Sequence, residues 1–184
     1  MTPNDLRSGA QELIARYDLT CRLLITLIEW HEGPDHEGLH DGDSLTSDAY
    51  AVAGVLLARS VGEFLSSSGR REDDWRATDF LSSPPPFDVR PFNEWVNKTI
   101  AHATRTDTGF LLSYVGLVHA LVSGMSRFVA ALEKSDSETA DLFHDVQARL
   151  QDHSLMKRPP LRSRNETVRG VPNRPPDFAW RPQR

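Results

Sequence analysis

A chain of 184 residues holds one domain, or one domain and a tail. Its hydrophobic fraction of 39% falls short of the roughly 45–50% usual for globular domains, a range that also counts glycine, as expected when part of a chain does not pack. A net charge of −5 argues against an overall nucleic-acid-binding surface but leaves room for a local basic patch.

Leu13, Ile14, Tyr17, Cys21, Leu24, Leu27 and Ile28 recur at spacings of three and four, which predicts a helix over Leu6–Trp30 with one buried face, started by Thr2-Pro3 or Asn4. Cys21 is the single cysteine. It cannot close an intramolecular disulfide, and its helical setting makes it a buried structural thiol rather than a nucleophile. No basic and apolar leader precedes this helix, so no signal peptide is expected. Gly33, Pro34, Gly38 and Gly42 break the pattern from His31 to Ser44. A second helix follows, capped by Thr46 or Ser47 and running to about Ser67 with Tyr50, Ala53, Leu56 or Leu57, Val61, Phe64 and Leu65 on its face.

The connection from Gly69 to Arg90 is long enough to hold a short turn at Asp79-Phe80-Leu81, anchored by Trp75 and Phe80. Pro91 opens a third helix to about Thr104, with Phe92, Trp95, Val96, Ile100 and Ala103 apolar. Asp107 or Thr108 starts a fourth, faced by Phe110, Tyr114, Leu117, Leu121, Met125, Phe128 and Leu132. The run from Gly109 to Leu132 could span a bilayer by length. Ser113, His119, Ser123 and Arg127 interrupt it, and it reads as a buried core helix, with no membrane expected. On that helix Gly116, Ala120 and Gly124 stand every fourth residue and allow close approach, either by a neighbour in the bundle or by a second subunit. The last helix, Ser137 to about Asp152, reads as starting with a capping box of Ser135 or Ser137 with Glu138. From His153 onward eight Lys/Arg stand against two acids, a net +6, and six prolines fall between Pro159 and Pro182. This segment is expected to be disordered or extended on its own. The first 152 residues then carry −11.

Three constellations carry chemistry. Glu94, Lys98, His102 and Arg105 follow spacings of four, four and three and share one helix face. Cations beside a histidine disfavour its charged form, leaving neutral imidazole as a base, and a cation one turn away can hold a phosphate. A solvated face of charge pairs is the plainer reading of the same spacing. His31, Glu32, Asp35, His36, Glu37, His40, Asp41 and Asp43 form a second set. It matches no standard ligand spacing and reads as a solvated acidic loop, with a divalent-metal site through His31, His36 and His40 as the alternative. His119 reads as a hydrogen-bonded core residue and His144 as a surface residue. The third set is the tail, where seven arginines accompany Phe178 and Trp180. It suits single-stranded RNA, an acidic protein face or the acidic body of the same chain.

The helix Asn97-Lys98-Thr99-Ile100-Ala101-His102 resembles the active-site helix of HEPN proteins. Two further segments add to the resemblance: Ala58-Arg59-Ser60-Val61-Gly62-Glu63-Phe64-Leu65 and Asp73-Asp74-Trp75-Arg76-Ala77-Thr78-Asp79-Phe80-Leu81. In this order they are similar to a group of bacterial HEPN-like proteins, over about Ala51 to Thr106. The resemblance implies a small helical bundle, often a dimeric, metal-independent RNase of defence or toxin–antitoxin systems. His102 would then act on the 2′-hydroxyl, Lys98 or Arg105 would neutralise the phosphate, and Asn97 and Glu94 would flank the site. The sequence departs from the family hallmark at one point: Trp95, Val96 and Asn97 stand where its arginine is expected. Lys98 offers a point charge rather than a bidentate fork.

The expected protein is therefore an all-α, up-and-down bundle of about five helices over 1–152, with a basic Pro/Arg-rich tail over 153–184. It is cytoplasmic and needs no cofactor. RNA, a second copy of the chain and a protein partner held by the tail are its expected partners. A catalytically inactive interaction module and a metal-binding bundle are the rival readings.

Overall fold

A computed structural model describes residues 2–32, 41–68, 74–90 and 114–157. Among them are five α-helices: α1 (Pro3–Glu32), α2 (Asp41–Leu65), the single turn α3 (Ala77–Phe80), α4 (Tyr114–Leu132) and α5 (Ser137–Asp152). A 3-10 turn, Ser154–Lys157, follows α5. The fold is an all-α bundle, and no strand occurs among the described residues. The helix expected over Pro91–Thr104 lies outside them.

Helix ends differ from expectation for local reasons. α1 begins at Pro3 because Thr2 caps it: Thr2 Oγ1 accepts from the Asp5 N–H at 3.2 Å, and Asp5 Oδ2 accepts from the Thr2 N–H at 2.7 Å. α2 begins at Asp41, ahead of the expected Thr46 or Ser47. Asp41 and Asp43 fall in its first turn, where carboxylates suit the positive end of the helix dipole and offset the roughly 1 kcal/mol cost of Gly42. α5 is capped by Asp136, not by Ser135 or Ser137: Asp136 Oδ1 accepts from the Thr139 N–H at 3.1 Å, while the Ser135 hydroxyl donates to Leu132 O. α2 closes with paired bonds from Ser67 N to Phe64 O and from Ser68 N to Glu63 O, which put Ser67 in the left-handed region (φ 55°). Its hydroxyl then accepts from the Thr78 N–H at 3.2 Å, tying the end of α2 to α3.

α1 and α2 run antiparallel, with Arg16 beside Ser60 and Leu24 under Gly54. α1 and α5 run parallel, as the contacts Arg7–Glu138, Tyr17–Gln147 and Asp18–Arg149 require. α4 is long and apolar enough to cross a membrane by composition, yet it buries ten residues in the bundle, among them Leu121, Met125 and Phe128. Phe128 sits between Phe64, Phe80 and Phe143, with ring centroids 5.1–5.9 Å away in edge-to-face contact. One buried polar network crosses this core. The Tyr17 hydroxyl donates to Gln147 Oε1 at 2.7 Å, and Gln147 Nε2 donates to Ser126 Oγ at 2.7 Å and to Val122 O.

The packed chain continues past the 152/153 boundary read from the sequence. Leu155 is 1% exposed, Met156 packs against the core, and the buried His119 places Nε2 2.9 Å from Leu155 O. Two apolar side chains and a hydrogen-bonded carbonyl are enough to hold five residues that composition alone assigned to the tail.

The segment Asp74–Arg90 lies across the helices through two glycines. A Cβ on Gly9 would meet the Trp75 indole at 2.6 Å, and one on Gly124 would meet the Phe87 ring at 2.6 Å. The small-residue stripe of α4 is thus covered from within the chain. Gly9→Ala should lower the denaturation midpoint by a net amount of up to about 2 kcal/mol, because overpacking against a rigid indole (~1–3 kcal/mol) exceeds the gain in helix propensity (~1 kcal/mol). An unchanged midpoint would mean that Trp75 yields freely. Tyr17→Phe leaves Gln147 Oε1 buried without its donor and should cost about 1–3 kcal/mol. In a double-mutant cycle with Gln147→Leu the combined loss should be less than the sum, and full additivity would dissolve the proposed network.

Candidate functional site

The two motif segments Ala58–Leu65 and Asp74–Leu81 meet in space. Ser60, Glu63 and Phe64 from α2, with Asp74 and Trp75, line a recess completed by Glu12, Leu13 and Arg16 of α1. Phe80 links the segments, its ring 5.8 Å from that of Phe64 and 5.7 Å from that of Trp75. Periodicity explains the placement. Glu12 and Arg16 are one turn apart on α1, and Ser60 and Glu63 share a face of α2, so the α1–α2 seam brings the four together.

The recess is a charge-balanced surface. Arg16 Nη1 donates to Ser60 Oγ at 2.8 Å and Nη2 to Glu12 Oε1 at 2.8 Å, while Arg59 Nε donates to Glu63 Oε1 at 2.8 Å. These groups are part-exposed, and such pairs contribute at most about 1 kcal/mol each. The cavity volume of ≈ 30 Å³ suits a water or two, far below the roughly 300–1,000 Å³ of a small-molecule site. Its side chains include no histidine and no cysteine, so the recess itself offers neither an imidazole base nor a thiol nucleophile. It positions the segments around it. The Glu12–Arg16 pair was legible in the sequence as an i,i+4 pair. Its meeting with Ser60, 44 positions away, carried no local signal.

Glu94, Asn97, Lys98, His102 and Arg105 lie outside the described residues, as do His36 and His40. His31 stands in the last turn of α1. Among the described residues no three His, Cys, Asp or Glu groups converge as metal ligands. His119 is a core residue, as its place on α4 suggested. His144 is on the surface with Nδ1 3.5 Å from Asp141. An open groove between α4 and α5 runs past Ser126, Ala130, Glu133, His144, Ala148 and Gln151. No protein-family model matches this chain, and no curated protein or solved structure matches it.

Cys21 is buried between α1 and the core. Burial, with the nearby Asp18 carboxylate, pushes its thiol up to about 12, and the same burial raises the Tyr17 hydroxyl well above its ordinary value. The thiolate is the reactive form. At pH 8 the native protein should therefore resist a thiol-specific disulfide reagent that reacts at once after denaturation. Rapid stoichiometric reaction of the native chain would contradict the burial.

Proposed function

We propose that this chain is a HEPN-like helical bundle that cleaves or binds RNA through the segment 91–113, in a bacterial defence or toxin–antitoxin setting. One observation carries the reading. The first two of the three ordered motifs behind the resemblance, separated by the connection after α2, converge on one face of an all-α bundle. The third motif, Asn97 to His102, follows them directly in the chain.

In this reading neutral His102 takes the proton of a ribose 2′-hydroxyl. The freed oxygen attacks the adjacent phosphorus and the 5′-oxygen of the next nucleotide leaves with a proton, which yields a 2′,3′-cyclic phosphate. Lys98 or Arg105 neutralises the charge that develops on the phosphate. Asn97 and Glu94 hold and orient those groups. A second copy of the chain is the expected partner, on the resemblance alone.

The test is RNA cleavage by the purified full chain with excess chelator, comparing wild type with His102→Ala and Lys98→Ala. Cyclic-phosphate ends should form with the wild type, and His102→Ala should lower the rate by about 10²–10⁴-fold with an unchanged helical spectrum. Absence of cleavage across varied RNAs would transfer the reading to a catalytically inactive interaction module. Two observations favour that second reading: the hallmark arginine is replaced at Trp95, Val96 and Asn97, and the recess beside the motifs is too small for a nucleotide.

A further inference from the structure

We propose that the arginine-rich segment 158–184 folds back onto the acidic end of its own bundle, formed by the last turns of α1 and the first turns of α2. Two independent observations lead to it. The first is a segregation of charge along the chain. From Leu23 to Ala58 there are seven Asp/Glu and no Lys or Arg, whereas from Arg158 to Arg184 there are seven Arg, no Lys and two acids. The second is where the structure puts the root of the tail. α1 and α5 run parallel and α2 runs antiparallel to them, so the end of α1, the start of α2 and the end of α5 share one end of the bundle.

Leu155 is locked there by burial and by His119, and His153 lies with Nε2 3.4 Å from Glu29 Oε1 on α1. The same imidazole accepts the Leu155 N–H at Nδ1 (3.3 Å), which leaves the proton on Nε2 to face Glu29. The chain leaving Lys157 therefore starts at the acidic end and already touches its first carboxylate. By chain position Glu32, Asp41, Asp43 and Asp48 lie on the two helices that form that end.

A Pro-rich tail is semi-extended at ~3.1 Å per residue, so twenty-seven residues reach any point of this end without strain. Tethering raises the local concentration of the arginines to the millimolar range expected for short linkers, so even weak pairs sum to a populated contact. Guanidinium groups suit it because their forks match carboxylates. The contact is fuzzy and electrostatic. It covers the tail until a stronger polyanion displaces it.

Paramagnetic broadening in the full chain tests the proposal. Ala179→Cys carries a nitroxide, while the buried native Cys21 stays unlabelled. Amide signals of residues 29–32 and 41–48 should weaken several-fold relative to the reduced label. They should recover in 1 M salt, where the screening length is ~3 Å, and in the labelled chain that also carries Arg162→Gln, Arg164→Gln and Arg169→Gln. Broadening spread evenly over the bundle, or unaffected by salt and by the arginine changes, would overturn it. So would broadening that persists undiminished when labelled chains without nitrogen-15 are mixed with unlabelled nitrogen-15 chains, because the contact would then lie between molecules.

Discussion

The bond from the Tyr17 hydroxyl to Gln147 sets the register of the bundle. It is the polar link at the centre of an otherwise apolar contact, and a polar group buried there without its partner costs more than the bond itself returns. One turn of slip of α1 against α5 would strand Gln147, so the pair admits one alignment where apolar packing alone would tolerate several. The consequence is visible at the surface. Arg7 meets Glu138 and Asp18 meets Arg149, both 131 positions apart, while the inner pair is 130 apart. Those outer ion pairs are exposed and weak. They follow from the register and do not create it.

Where α5 ends, the regular offset ends with it. Glu29 is paired with His153, only 124 positions away, because the chain turns after Asp152 and the 3-10 turn folds inward. Gln147 also reaches Ser126 and Val122 on α4, so one side chain holds three helices. The segment Asp74–Arg90 is fitted afterwards. Its Trp75 and Phe87 occupy sites that exist only because Gly9 and Gly124 present bare backbone.

The helices were legible because each buries one face at a period near 3.6, and that is a local property of the sequence. Cys21, His119 and His144 could be placed from their positions on those faces. The misplaced details depend on partners. Serines flanking Asp136 look like equally good caps until Thr139 is seen to donate to Asp136. The stripe Gly116-Ala120-Gly124 signalled a close approach but not its occupant, since a helix, a second subunit and a single phenyl ring all satisfy the same gap. His153 to Lys157 looked like tail because composition averages over a window, whereas Leu155 is held by one cavity and one histidine. For the candidate site, the order of the motif segments was legible. Their convergence on Glu12 and Arg16 was not, because antiparallel pairing of α1 and α2 joins residues 44 positions apart.

Charge connects the candidate site to the tail. Arg7, Arg16, Arg22, Arg59, Arg90 and Arg149 each face a carboxylate in an ion pair, so a phosphate arriving there must compete for guanidinium groups already engaged. The body as a whole carries −11 and repels polyanions at long range. Affinity for RNA therefore has to come from Lys98, Arg105 and the arginines beyond Lys157. If those arginines rest on the acidic end of the bundle, RNA must displace an intramolecular anion of similar chemistry, and added salt weakens both contacts together. The tail then acts less as extra adhesion than as a threshold. Short or weakly charged RNA leaves it docked, while a long strand that gathers several phosphates along the tail outcompetes a fixed set of carboxylates and brings its ribose within reach of the segment that carries His102.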